Sequence, residues 1–383
     1  MTRIPYGRQH VTEEDINAVV DVLRSDFLTQ GPHIQEFEQK FAEYIGCRYA
    51  VAVANGTAAL HLAALALKVD SATRVITSPI TFAASSNCIR YCGGQIDFAD
   101  IDQDSILLDL RAVRSRLESA PRGTYQGIIP IDMAGYPVDM EKFRELADEF
   151  DLWILEDACH APGGWFTDSN GTRQYCGNGR FADLAIFSFH PVKHIATGEG
   201  GMITTNDQEL YDHLTVLRTH GITKRPELLK ENHGGWYYDM VDLGFNYRLT
   251  DIQCALGISQ LSRADANFVR RQELAKRYDS AFEGTQVQTI KPSTAVSHAY
   301  HLYIIQIENR KEVYDQLKEH GIYAQVHYIP THLLSYYRQF GWGNGSCPHA
   351  EKYYSRCLSI PMYPGLTDDE QDFVIERILE IAK

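Results

Sequence analysis

The chain has 383 residues, 44% hydrophobic and 22% charged, with a formal net charge of −14. That length exceeds one typical core and implies two domains, or one large domain with a smaller appendage, of ordinary globular composition, and the acidic balance argues against nucleic acid and anionic membrane surfaces as partners. No apolar run is long enough to span a bilayer, and residues 1–9 are polar and lead straight into a helical pattern, so neither an anchor nor a signal peptide is expected and the expected location is cytoplasmic.

Thr12-Glu-Glu-Asp15 is a capping pattern, and it predicts a helix with Ile16, Val19, Val20 and Leu23 on one face. Leu28-Thr-Gln-Gly-Pro32 reads as a turn. Short apolar runs then alternate with helical patterns, and those at 49–54, 74–78, 95–98, 127–131, 152–156, 183–188 and 202–205 predict buried strands. The alternation predicts an α/β fold whose sheet carries helices on both faces. Thr250-Asp-Ile-Gln253 is a second capping box, opening a helix with Ile252, Ala255, Leu256 and Ile258 expected inward. A large α/β domain over 1–250 and a smaller α+β domain over 251–383 follow from this reading.

Sheets of this kind bind ligands beyond the carboxyl ends of their strands, so the residues there are the candidates for chemistry. The run AIFSFHPVKHIATGEGG (185–201) ends a strand at Ser188, places Lys193 five residues on and closes with a glycine-rich turn. A lysine at a rigid strand end with a free amine suits imine formation with a cofactor aldehyde, which points to pyridoxal phosphate (PLP). Ser188 can donate to a phosphate. The first strand runs into Asn55-Gly-Thr-Ala58, where a helix N-terminus offers the amides of Gly56, Thr57 and Ala58 to the same phosphate, although the segment also reads as a plain capped turn. Leu152-Trp-Ile-Leu-Glu-Asp157 ends in an acidic pair, and Asp157 suits either the pyridinium nitrogen of PLP or a helix cap. His160, one helical turn further, either hydrogen-bonds the cofactor or fills a polar gap. Phe82 follows a strand end and either stacks on the pyridine ring or belongs to the core. Asn246 and Arg248, in GFNYRLT, stand where they can meet a phosphate or a carboxylate. The eight cysteines form no CxxC pair or disulfide framework, and His190 and His194 are interrupted by Pro191, so no metal site is expected.

NGTAAL, TFAAS, EDACHA, SFHPVKHIATGEGG, GFNYRLTDIQ, GIYAQVHYIP and RCLSIPMYPGLT, in that order over nearly the whole chain, resemble the DegT/DnrJ/EryC1/StrS family of PLP-dependent sugar-nucleotide aminotransferases. IPYGRQHVTEEDI and LTQGP most resemble the members that make UDP-4-amino-4,6-dideoxy-N-acetyl-β-L-altrosamine on the way to pseudaminic acid. The resemblance implies the type I aminotransferase fold, a homodimer with shared sites, and amino transfer from L-glutamate, leaving 2-oxoglutarate, to a UDP-linked 4-keto-6-deoxy sugar. It makes Lys193 and Asp157 catalytic, and Gly56, Thr57, Ala58, Phe82, His160, Ser188 and Asn246 cofactor contacts, Asn246 from the neighbouring subunit. Tyr6, Gln30, Arg248, His327 and Tyr328 fall in segments that it turns toward the substrate. His160 stands where many members carry Gln. Alternatives are a 3-keto- or 4-keto-sugar aminotransferase on a dTDP or GDP sugar, a sugar dehydratase, in which histidine typically replaces the lysine, and a PLP-binding regulatory protein without turnover.

Overall fold

All seven apolar runs become strands of one sheet in the computed structural model, which describes residues 3–382. They are β1 (Tyr49–Val53), β2 (Arg74–Thr77), β3 (Gln95–Phe98), β4 (Gly127–Ile129), β5 (Trp153–Asp157), β6 (Leu184–Ser188) and β7 (Gly201–Thr205). Their spatial order is β1-β7-β6-β5-β4-β2-β3. All neighbours are parallel except β7, which runs antiparallel between β1 and β6. Both faces are covered, so the strands are apolar throughout rather than alternating, and Val51, Val75, Ile128, Ile154 and Ile186 are fully buried. The α/β sheet covered on both faces is the one expected. Six of the strands differ from their predicted bounds by one or two residues, and one is shifted at both ends: the left-handed Asp151 (φ 60°) ends the preceding helix and Leu152 N–H returns to Ala147 O at 2.8 Å. β5 therefore starts at Trp153 and includes Asp157, whose N–H donates to Pro130 O at 2.9 Å.

The helices that position the site are α1 (Glu13–Leu23), α2 (Pro32–Ile45), α3 (Gly56–Ala66), α4 (Ala83–Tyr91) and α5 (Asp251–Leu261). Both capping boxes form as predicted, at Thr12 and Thr250. The inward faces differ from expectation. On α1 it is Asp15 and Val22 that are buried, while Ile16 is 46% and Leu23 56% exposed. On α5 the buried set is Asp251, Cys254, Ala255, Gly257 and Gln260, with Ile252, Leu256 and Ile258 only half-buried. The reason is polar docking. Asp251 accepts the N–H groups of Gly31 (2.8 Å) and His33 (3.0 Å) at the start of α2. Asp15 accepts from Ser259, Gln260 and Arg263 at 2.6–2.7 Å. These carboxylates are buried because each receives several donors, which rotates both helices and leaves an apolar stripe facing outward. Although it follows residue 250, α5 packs against α1 and α2.

A second core forms around Leu274, Tyr278, Ile305, Leu317 and Val374. Its antiparallel sheet is β8 (Gln288–Thr289), β9 (Tyr303–Gln306) and β10 (Cys357–Ile360), with the long helix α6 (Ala264–Phe282) and α7 (Asp368–Ile381) among its helices. The N-terminal pair Ile4–Pro5 adds a parallel strand to Ile322–Tyr323 and so belongs with this second core. Among the described residues no helix is long and apolar enough to cross a membrane.

Candidate active site

A cavity of about 900 Å³ opens at the carboxyl ends of β1, β5 and β6. It brings together Gly56, Thr57, Ala58, Phe82, Asp157, His160, Ser188 and Lys193 with Tyr6, His327 and Tyr328 from the second unit and the N-terminal segment. Gln30, Asn246 and Arg248 are not on its wall. Gln30 is exposed beside the start of α2. Asn246 and Arg248 lie on a segment that crosses the end of β1, where Val53 and Arg248 form an isolated bridge. Their neighbour Tyr247 does line the cavity.

The floor is Asp157. Ser85 donates its hydroxyl to Asp157 Oδ2 at 2.6 Å and the Cys159 amide donates to Oδ1 at 3.2 Å. Ser85 has one proton and spends it there, so Thr81, 2.8 Å away, must be the donor in the next bond of the chain. Behind this floor Asp132, Glu156 and Cys176 are all buried, with one ligand-type atom of each within 4.8 Å of the others. Burial raises the pKa of both carboxyls, and the charge of each disfavours ionisation of the other. The pair is tied to Asp157 through the backbone, since Asp132 N–H donates to Asp157 O at 3.1 Å.

The opposite end is the start of α3. Asn55 caps the helix by accepting the Ala58 amide at 2.8 Å, which commits that amide, while Gly56 and Thr57, whose amides at a helix start lack intrahelical acceptors, line the cavity with Ser188. A side chain at position 201 could not be accommodated, because its Cβ would lie 2.6 Å from Asn55 O. Lys193 stands in the loop after β6, where its own N–H bonds to His190 O at 2.8 Å. Burial of its amine lowers the pKa, partly opposed by Asp157, so that the unprotonated form is reached closer to neutral pH than for a surface lysine.

His160 sits in a tight turn, Ala161 N–H bonding to Ala158 O at 2.9 Å, and not on a helix. Its ring lies 4.3 Å from that of His301, which in turn is 5.7 Å from His194. Burial holds all three well below the ordinary histidine range, and His327 is lowered to about 3, so these rings are neutral. Sequence reasoning missed Thr81, Ser85, Cys159 and His301. Ser85 and Cys159 lie within the motifs TFAAS and EDACHA and were within reach of a closer reading; His301, just before β9, carries no local signal at all. The cavity wall also has no arginine among the described residues, and its fixed charges are Lys193, Asp157 and Glu199.

The model of the DegT/DnrJ/EryC1/StrS aminotransferase family matches residues 9–379. The UDP-4-amino-4,6-dideoxy-N-acetyl-β-L-altrosamine transaminase of Campylobacter jejuni is 36% identical over 99% of this chain and 98% of its own length. Among solved structures, the putative sugar aminotransferase Spr1654 from Streptococcus pneumoniae in its PMP form superposes with a TM-score of 0.90, at 30% identity and 99% coverage of both chains. Helicobacter pylori PseC, an aminotransferase involved in the biosynthesis of pseudoaminic acid, gives a TM-score of 0.89 at 30% identity, covering 100% of this chain and 99% of that one.

Proposed function

The chain belongs to the DegT/DnrJ/EryC1/StrS aminotransferase family, a PLP-dependent family, and on that premise we propose that it moves an amino group from L-glutamate to a nucleotide-linked 4-keto-6-deoxy sugar, UDP-2-acetamido-2,6-dideoxy-β-L-arabino-hex-4-ulose in particular. The observation that carries this reading is the convergence on one cavity of a buried amine, a strand-end carboxylate and an anion-binding helix start. The choice of sugar rests on the full-length likeness to the Campylobacter transaminase.

The residues fit PLP. The amides of Gly56 and Thr57 with the Ser188 hydroxyl form a phosphate cradle, Asp157 lies across the cavity for the ring nitrogen, and Phe82, 62% exposed at the mouth, offers a face to stack on the ring. When bound, PLP supplies an aldehyde for the amino group and a ring that takes up electron density. The protein supplies the rest. Lys193 Nζ, with its lowered pKa, would hold the cofactor aldehyde and, once freed, would move a proton at the substrate α-carbon. Asp157, fixed by Ser85 and the Cys159 amide, keeps a proton on the ring nitrogen.

The same reading makes the active unit a homodimer. A site that must hold a phosphate, a glutamate carboxylate and a nucleotide diphosphate has no arginine on the wall that one chain builds. Arg248 and Asn246 of a second copy answer that need. The outward stripe of α1, together with Trp236 (74% exposed) and Leu243 (75%), is the apolar surface such a copy would cover. Stopped-flow absorbance tests the function: glutamate alone bleaches the yellow holoenzyme, and the UDP-4-keto sugar restores the colour while an amino sugar forms. Colour unchanged by glutamate would refute the reading.

A further inference from the structure

Around the cavity, the hydrogen bonds of one histidine have a direction that the backbone dictates. The amide N–H of Ala134 points at Nδ1 of His160 at 3.2 Å. An amide can only donate, so Nδ1 must present its lone pair. A neutral imidazole then carries its single proton on Nε2, and an imidazolium is excluded because its Nδ1–H would face the Ala134 N–H. Nε2 lies 3.3 Å from the hydroxyl of Tyr328. The His160 proton therefore goes to the Tyr328 oxygen, and the tyrosine hydroxyl proton is released for another acceptor.

We propose that Tyr328 is a hydrogen-bond donor to a ligand oxygen in this cavity, and that His160 is the positioning residue that fixes the direction of the bond. The inference rests on the aminotransferase reading for the identity of the ligand, but its polarity argument stands on the protein alone. Three features hold the arrangement. Ala134 is left-handed (φ 62°) and Gly135 follows at φ 93°, a turn in which a Cβ at 135 would lie 2.6 Å from His160 O; only glycine lets the turn come this close to the histidine. The His301 ring packs on His160 on one side. Tyr328 is stacked nearly parallel to His160, at 20°, while Phe82 lies 6.2 Å away toward the mouth. The hydroxyl has no second acceptor among the described residues, and both Tyr328 and His160 line the cavity. An oxygen with a lone pair is thus the chemistry that Tyr328 recognises, whether the phenolic oxygen of the cofactor ring or a carbonyl or hydroxyl oxygen of the sugar.

Three measurements test this. Nitrogen-15 spectra of the histidine-labelled apoprotein, with the His160 signals assigned from His160→Gln, are expected to show the proton on Nε2; a proton on Nδ1 overturns the proposal. In the Tyr328→Phe holoenzyme, a shifted pH titration of the visible absorbance assigns the bond to the cofactor oxygen. An unchanged titration with a tenfold to hundredfold lower kcat/KM for the UDP-4-keto sugar, and an unaltered glutamate half-reaction, assigns it to the sugar. The absence of both changes overturns the proposal. Glutamine can accept from Ala134 and donate to Tyr328 with its two ends, so His160→Gln is expected to recover most of what His160→Leu loses. Equal losses in the two variants would remove His160 from its positioning role. If the wild-type protein transfers no amino group at all, the functional reading fails while the nitrogen-15 result still decides the direction of the bond.

Discussion

Lowering the pH of the apoprotein from 6.5 to 5.5 acts on histidines that the fold keeps out of water; of the six buried ones, His332 bonds to Glu351, and the other five have no carboxylate partner among the described residues. His160, His194, His298, His301 and His327 are 4–8% exposed, and burial lowers the pKa of each, to about 3 for His298 and His327. In the unfolded chain each returns to about 6.5 and binds protons that the native state refuses, so stability falls as the pH drops through that value. Each contributes a loss of about 1 kcal/mol over this interval, roughly 5 kcal/mol for the five. Asp132 and Glu156, whose pKa values burial raises, work in the opposite direction. Each proton that they hold in the folded protein and lose on unfolding restores about 1 kcal/mol over the same unit. A net loss of roughly 3–4 kcal/mol remains, a large share of the 5–15 kcal/mol by which domains are ordinarily stable. Urea unfolding at fixed protein concentration measures it. A midpoint equal or higher at pH 5.5 would show that these histidines are charged in the native state, and the neutral cluster would be wrong.

Four substitutions probe the site. Lys193→Ala is expected to leave the fold intact and abolish both amino transfer and the lysine-bound visible absorbance, checked by spectrum and product assay. Asp157→Asn should cost roughly a thousandfold in turnover, because a neutral amide cannot keep the ring nitrogen protonated; near-normal kcat would reduce Asp157 to a structural cap. Ser85→Ala removes the donor to a buried carboxylate and strands Thr81, and should lower stability by about 1–3 kcal/mol in urea unfolding as well as turnover. Lys193→Ala and Arg248→Ala proteins, each inactive alone, should on random subunit exchange form about half mixed dimers and recover about a quarter of wild-type activity, since one site in each mixed dimer is intact. Confirmed mixed dimers without activity would mean that Arg248 serves the site of its own chain.

The sheet was legible because strands buried on both faces are written as short continuous apolar runs, and all seven could be found that way. Lys193, Ser188 and Asp157 could be singled out because strand ends are where such sheets bind ligands. The faces of α1 and α5 were not legible, because Asp15 and Asp251 become core residues only through donors some 220 to 250 residues away, a pairing that helical periodicity does not encode. The same holds for His301 and for the first acidic residue of EDACHA: Glu156 acquires its meaning from Asp132 and Cys176, brought together by the fold.

The place of β7 in the sheet has a consequence for how the protein comes to hold its cofactor. The phosphate cradle follows β1 and the lysine follows β6, and these two strands do not touch; the strand that joins them is the last of the seven in the chain. During synthesis, therefore, roughly the first half of the polypeptide emerges with both halves of the site present and no means of bringing them together. Insertion of β7 closes a loop of about 150 residues to β1 beside the short one to β6, a step whose entropy must be met before any ligand contact rewards it. The cofactor cannot nucleate this sheet. It binds only after the sheet is complete, so it stabilises the finished protein by mass action and leaves partly made chains to the care of their own hydrophobic core.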